Sequence, residues 1–190
     1  MKPHDEFDAL TQIFPSPLPF ANQVEHIPSA LTPEPYRQLL VHDQHMTVTM
    51  EQFYDCQVHV HVLQKKLDGD QYCRKIVLTK GESGPIVQFG LVRFNLEVVT
   101  ADVRQEILGE QIPLGRVLIR HNVLRHIDLG AILRITAGPG LAEALKIDVG
   151  ETTYGRLATI FCNEIPAVDL LEICTPVERI NPQSGTNKST

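Results

Sequence analysis

From Cys56 the chain alternates between apolar and polar positions. Cys56, Val58, Val60 and Val62 stand against Gln57, His59, His61 and Leu63, a period of two that predicts a half-buried strand. Asp68-Gly-Asp supplies a hairpin turn, and the returning run puts Tyr72, Arg74, Ile76 and Leu78 on one face. Further strands are predicted over Ile86 to Val98, Arg125 to Thr136, Thr153 to Cys162 and Ile165 to Thr175, the last two joined by a turn at Asn163-Glu164. A break at Gly138-Pro-Gly140 with a short segment separates the second of these runs from the third. Strands joined by short turns make an antiparallel sheet.

Helical spacing appears in four places. Thr32-Pro-Glu-Pro has the form of a helix start and is followed by Tyr36, Leu39, Leu40 and Asp43; a second short helix is predicted from Met46 to Phe53. Thr100 caps a third through Leu108, and Pro113 suits the first turn of a fourth from Leu114 to about His121. Such helices must cover one face of the sheet, which makes the domain α+β.

Composition narrows the function classes. A chain of 190 residues is a natural length for one domain. A net charge of -6 and a pI near 5.7 argue against a duplex nucleic-acid binder, but a few arginines could still make a local site for a small anion. The four cysteines lie far apart with no Cys-x-x-Cys pair, as in a reduced, cytoplasmic protein. No apolar run reaches the roughly 18 residues of a membrane span, and no signal segment is recognised. Residues 1–30, with Pro3, Pro15, Pro17, Pro19 and Pro28, are read as a proline-rich extended arm, residues 31–178 as the single domain, and residues 179–190 as a disordered polar tail. The oligomeric state is not legible.

Two awkward charges carry the candidate chemistry. Glu172 sits in Ala-Val-Asp-Leu-Leu-Glu-Ile-Cys, on a strand that reads as buried, where a carboxylate needs a cation, a raised pKa or the edge of a wet pocket. Arg74 lies mid-strand among Tyr72, Ile76 and Leu78; it either snorkels at a sheet rim or reaches a carboxylate, from the protein or from a ligand. A structural Arg74–Glu172 pair would satisfy both. Pro113-Leu114-Gly115 leaves backbone N–H groups unpaired at a helix start, which suits an anion. His42, His45, His59 and His61 are spaced as a metal site could be, but without a companion ligand they are read as a solvated face. Arg116, Arg125, Arg134 and Arg156 could line an anionic pocket but are read mostly as outward sheet charges, the place of Arg156 being the most open.

A resemblance joins these residues. Arg74-Lys-Ile-Val-Leu, Phe89-Gly90, Leu108-Gly-Glu-Gln-Ile-Pro-Leu-Gly-Arg116, Tyr154-Gly-Arg156 and Ile165-Pro-Ala-Val-Asp-Leu-Leu-Glu172 run in the order and approximate spacing of the chorismate lyase family. The likeness covers about residues 35 to 176. It implies a highly curved antiparallel sheet with helical flaps over an internal site, and conversion of chorismate to 4-hydroxybenzoate and pyruvate without metal or organic cofactor, supplying a ring for quinones such as ubiquinone or plastoquinone.

Residue by residue, the resemblance implies that Arg74 holds the ring carboxylate with the backbone N–H of Leu114. Glu172 then faces the far end of the ring as proton donor or as acceptor, and Met46 supplies a flap contact. Where the family commonly has arginine after the glycine, this chain has Leu91. Arg93, two residues along and on the same face as residue 91, is the candidate for the second cation that a dianion calls for. The competing reading is a non-catalytic domain of the same fold that senses an aromatic acid, as in the effector-binding domains of transcription regulators. The absence of a DNA-binding segment before the fold weighs against it.

Overall fold

The structure, a computed structural model, describes residues 2–180. The tail expected over residues 179–190 therefore lies, from residue 181 on, outside the described residues. In chain order the elements are α1 (Pro3–Thr11), β1 (Ala21–Ile27), α2 (Tyr36–Leu40), α3 (Met46–Tyr54), β2 (Val58–Asp68), β3 (Gln71–Lys80) and β4 (Ile86–Asn95), followed by α4 (Ala101–Gly109) and α5 (Leu114–Arg120). The chain continues through β5 (Arg125–Ala137), α6 (Pro139–Leu145), β6 (Thr152–Cys162), β7 (Ile165–Cys174) and α7 (Val177–Ile180).

The seven strands form one antiparallel sheet in the order β1-β5-β6-β7-β4-β3-β2. Register shifts interrupt most of the ladders, and each such bulge bends its strand and adds twist. The bulge between β6 and β7 matters most. Asn163 and Glu164 both take positive φ, 51° and 67°, the conformation of a tight two-residue hairpin turn, and Cys162 faces Ile165. One residue is then gained near Pro166, so that Ile160 faces Val168 and Arg156 faces Glu172.

The alternation that predicts the strands also divides the sheet into two unlike faces. Phe89, Leu91, Leu133, Ile135, Leu157, Leu171 and Ile173 point to one side, where Phe7 and Leu10 of α1 and Leu141 and Leu145 of α6 cover them. Tyr72, Val92, Phe94, Ile160 and Leu170 point to the other, under α4 and α5, with Ile76 and Leu78 under α2 and α3. Helices thus lie on both faces, the flap-forming pairs α2/α3 and α4/α5 sharing one of them. No helix of the described residues is long and apolar enough to cross a membrane.

The segment expected as an extended arm is part of this body. Its prolines mark boundaries and spare the interiors of elements. Pro3 occupies the first turn of α1, where a missing N–H costs nothing; Pro15, Pro17 and Pro19 fall between α1 and β1; Pro28 follows β1. Between those marks Phe7 and Leu10 share a helix face and bury on the sheet, and β1 adds an edge strand to β5. The same logic makes a helix of the segment after Gly138: Pro139 takes the first turn and Leu141, Ala142 and Leu145 bury.

Candidate functional site

The flap-side face carries three rows of facing residues. Cross-strand register sets Ile132, Arg156, Glu172, Gly90, Ile76 and Val62 in one row running from β5 through β6, β7, β4 and β3 to β2. Two residues along in one direction lie Arg74, Val92, Leu170 and Ala158, and in the other Leu78, Gln88 and Cys174. Gly90 interrupts the middle row. A Cβ there would stand 3.0 Å from Cγ1 of Ile76, so the glycine keeps the floor low between Ile76 and Glu172.

Over these rows lies a cavity. Its floor includes Arg74, Ile76, Leu78, Gln88, Val92, Arg156, Leu170 and Glu172, and its roof His45, Met46 and Thr47 at the start of α3 with Pro113, Leu114 and Gly115 at the start of α5. The two roof pieces meet where Gly115 passes under the ring of His45, so closely that a Cβ would lie 2.8 Å from the imidazole. Arg116 of α5 clasps Glu51 of α3 through both carboxylate oxygens, at 2.7 and 2.8 Å. Arg125 Nε donates to His45 Nε2 at 2.9 Å from the side. Burial, then Arg125 and Arg156, hold the His45 imidazole down to about 4, so it stays neutral and can accept that bond. The roof closes on a free volume of about 40 Å³, room for a few waters, so a ring-sized guest needs the two flaps to part.

Arg74 and Glu172 line this cavity together, and neither pairs with the other. They stand two strands and two residues apart, which by sheet spacing separates their Cα atoms by about 12 Å. Arg74 is 2% exposed and its Nε has no hydrogen-bond partner. Among the described residues it makes no salt bridge. The acid whose charge acts on it, Glu110, is taken by Tyr72 O–H at 2.5 Å and by Lys65 Nζ at 3.1 Å. Burial draws the Arg74 guanidinium below its ordinary value, with Tyr72 and Glu110 pulling it back up. Gln88 adds a second unsatisfied group to the cavity floor, its buried Oε1.

Glu172 has a different partner, and sequence reasoning missed it. Arg156 is 0% exposed and donates through Nε to Glu172 Oε2 at 2.8 Å. Its Nη1 donates to His42 O at 3.0 Å and faces His42 Nδ1 at 3.2 Å, and its Nη2 donates to Gln44 O at 3.0 Å. A carboxylate held this way presents its remaining lone pairs to the cavity as an acceptor.

Met46 and Leu114 both line the roof. Arg93 does not reach the cavity. It alternates with Val92 and Phe94 and so faces the α1 side, where it donates to Asp169 Oδ2 at 3.0 and 2.7 Å, each side chain being 32% exposed. Leu91 points the same way into the apolar core. The exchange of residues 91 and 93 therefore cannot deliver a cation to the cavity, and the expectation for Arg93 is corrected. The second buried guanidinium in the cavity is Arg156.

A scan against models of protein families matches none, and no curated protein matches the chain in sequence. Among solved structures, the ligand-binding domain of a putative GntR-family transcriptional regulator from Bordetella bronchiseptica is similar at 8% identity and a TM-score of 0.46, over 62% of this chain and 84% of that one. The C-terminal domain of the histidine utilization repressor from Pseudomonas syringae pv. tomato is similar at 14% identity and a TM-score of 0.44, over 70% of this chain and 97% of that one. The C-terminal domain of Yurk from Bacillus subtilis is similar at 14% identity and a TM-score of 0.44, over 60% and 88%. These are likenesses of chain path, at a level from which neither ligand nor activity transfers. The site is therefore read from its own chemistry and from the five motifs.

Proposed function

We propose that the cavity under α3 and α5 binds a small ring-bearing carboxylate, and that the chain acts there on chorismate, releasing 4-hydroxybenzoate and pyruvate. The observation that carries the binding is Arg74: a guanidinium buried at 2% exposure, with its Nε unpaired and no salt bridge among the described residues, is unfavourable until an anion meets it. The backbone at Leu114 and the amide of Gln88 stand at the same cavity, and the apolar residues Ile76, Val92 and Leu170 line the space for a ring.

The proposed reaction needs no co-reactant. The ring carbon–oxygen bond to the enolpyruvyl group breaks with its electron pair on the oxygen, a ring C–H proton is lost, and the departing enolate takes up a proton to become pyruvate. Aromatisation drives the change, so the protein's part is to hold one pose, exclude water and steady the charge that moves. Arg74 would orient the ring carboxylate, Glu172 the group at the opposite end, and the α3 and α5 flaps would shut out solvent. The motif series resembling the chorismate lyase family supports this substrate, since Arg74, Leu114 and Glu172, from three separate motifs, stand at one cavity.

A second reading is favoured by the Arg156–Glu172 pair. With Glu172 fixed as an acceptor the cavity has no free carboxylic acid to protonate a leaving group, which suits a domain that holds an aromatic acid without turning it over. One experiment separates the two: purified protein is mixed with chorismate, and pyruvate and 4-hydroxybenzoate are followed. Release of both supports the lyase. Tight binding of 4-hydroxybenzoate with neither product formed leaves the ligand-holding domain.

A further inference from the structure

Arg156 has more bonds than a counter-ion needs. Besides Glu172 it grips the carbonyls of His42 and Gln44, in the connection between α2 and α3 that leads directly into His45 and Met46 of the roof. His42 is itself fixed, its Nε2 donating to Leu39 O at 2.8 Å and its Nδ1 accepting from Gln44 N at 3.1 Å. The guanidinium's donors are therefore spent on protein acceptors, which leaves little with which to hold a ligand.

We propose that Arg156 is the positioning residue of the cavity. It fixes the Glu172 carboxylate in one orientation, as an acceptor for a hydroxyl on the far end of the ligand, and anchors the roof segment to the sheet beneath it. A planar fork is needed for this, because the bonds diverge to one side chain and two backbone carbonyls. A lysine keeps the charge but cannot span all three. The inference rests on the reading of the cavity as a site for a ring carboxylate and deepens it: the preferred ligand carries a hydrogen-bond donor opposite its carboxylate.

The test uses the full chain and two probes of nearly equal size, 4-hydroxybenzoate and 4-fluorobenzoate, of which only the first carries that donor, titrated by calorimetry. The native protein should prefer the hydroxyl compound by roughly tenfold or more, as a hydrogen bond to a fixed carboxylate implies. In Arg156→Lys the preference should shrink to within about threefold, while the carboxylate, held by Arg74, still binds both probes. A merely structural role would weaken both probes alike; an unchanged ratio in Arg156→Lys overturns the proposal.

Should Arg156→Lys fail to fold, the neutral pair Arg156→Gln/Glu172→Gln takes its place beside Glu172→Gln alone. Positioning requires any further loss of affinity in the double variant to come with faster exchange of the roof amides of residues 42–48, since Arg156 acts only through Glu172 and the roof it steadies. A further loss of affinity for both probes in the double variant, with the roof amides of residues 42–48 exchanging no faster, would mean that Arg156 touches the ligand itself, and overturns the assignment. If the native protein binds neither probe, the ligand reading fails and this one with it. Binding without the altered ratio fails this one alone.

Discussion

The two faces of the sheet treat charge in opposite ways. On the α1/α6 face the interior is a cluster of apolar side chains with the Thr153 hydroxyl satisfied by a backbone carbonyl, and among the described residues the cross-strand ion pair there, Arg93–Asp169, sits where both side chains remain 32% exposed. On the flap face Arg74, Gln88, Arg156 and Glu172 are all buried among Ile76, Leu78, Val92 and Leu170. The same strands build both faces, residue by alternating residue, so the contrast cannot come from the backbone. One face is packed for stability, and the other keeps costly groups at a cavity where they can meet something else.

Substitutions sharpen that contrast, and the largest effects fall in the two interiors. Phe89→Ala on the apolar face and Glu172→Ala on the flap face should each cost about 3–5 kcal/mol in denaturant unfolding, for different reasons. The first leaves a cavity; the second leaves Arg156 buried without its carboxylate. If Glu172→Ala cost under about 1 kcal/mol, the pair would not be the buried, committed contact described. Arg74→Met should go the other way, raising stability by about 1–3 kcal/mol through removal of an unsatisfied buried group, while abolishing 4-hydroxybenzoate binding. A destabilised Arg74→Met would show that its guanidinium already has a partner.

Acid should also distinguish the faces. His45 is held down to about 4, and His42 below its ordinary 6.5, both first by burial and then by neighbouring arginines. Between 6.5 and about 4 the unfolded chain binds protons that these histidines refuse in the folded one, so stability falls as pH drops through that window and levels off below it. His45→Gln should flatten part of that slope, as read from denaturant midpoints across pH. Glu6, on the α1 face, is raised by burial and by Asp169, so its contribution has the opposite sign and is lost as pH rises. Asp169→Asn on the exposed rim comes last, at about 0–1 kcal/mol.

Much of this was legible from alternation alone. Strands β2 to β7, the Asn163-Glu164 turn, α3 and α5 follow from period and punctuation, and Arg74 and Glu172 stood out as charges in apolar company. What was not legible turns on one-residue events. A plain hairpin at Asn163-Glu164 sets Gly155 across from Glu172 and turns Arg156 to the other face; the bulge near Pro166 shifts the ladder by one and brings Arg156 opposite Glu172. Nothing in the composition near Pro166 fixes where the extra residue goes. Arg93 failed for the converse reason. Parity placed it correctly with Leu91, but that face of β4 is the α1 side, a fact hidden while α1 was read as an extended arm.

If Arg74 receives the carboxylate of a ring compound under the α3 and α5 flaps, affinity must depend on its guanidinium. Calorimetric titration of 4-hydroxybenzoate into the native chain and into folded Arg74→Met tests it most directly. Saturable one-to-one binding to the native protein is expected, with at least a hundredfold weaker binding, roughly 3 kcal/mol, to the variant. Equal affinity for the two proteins would contradict it.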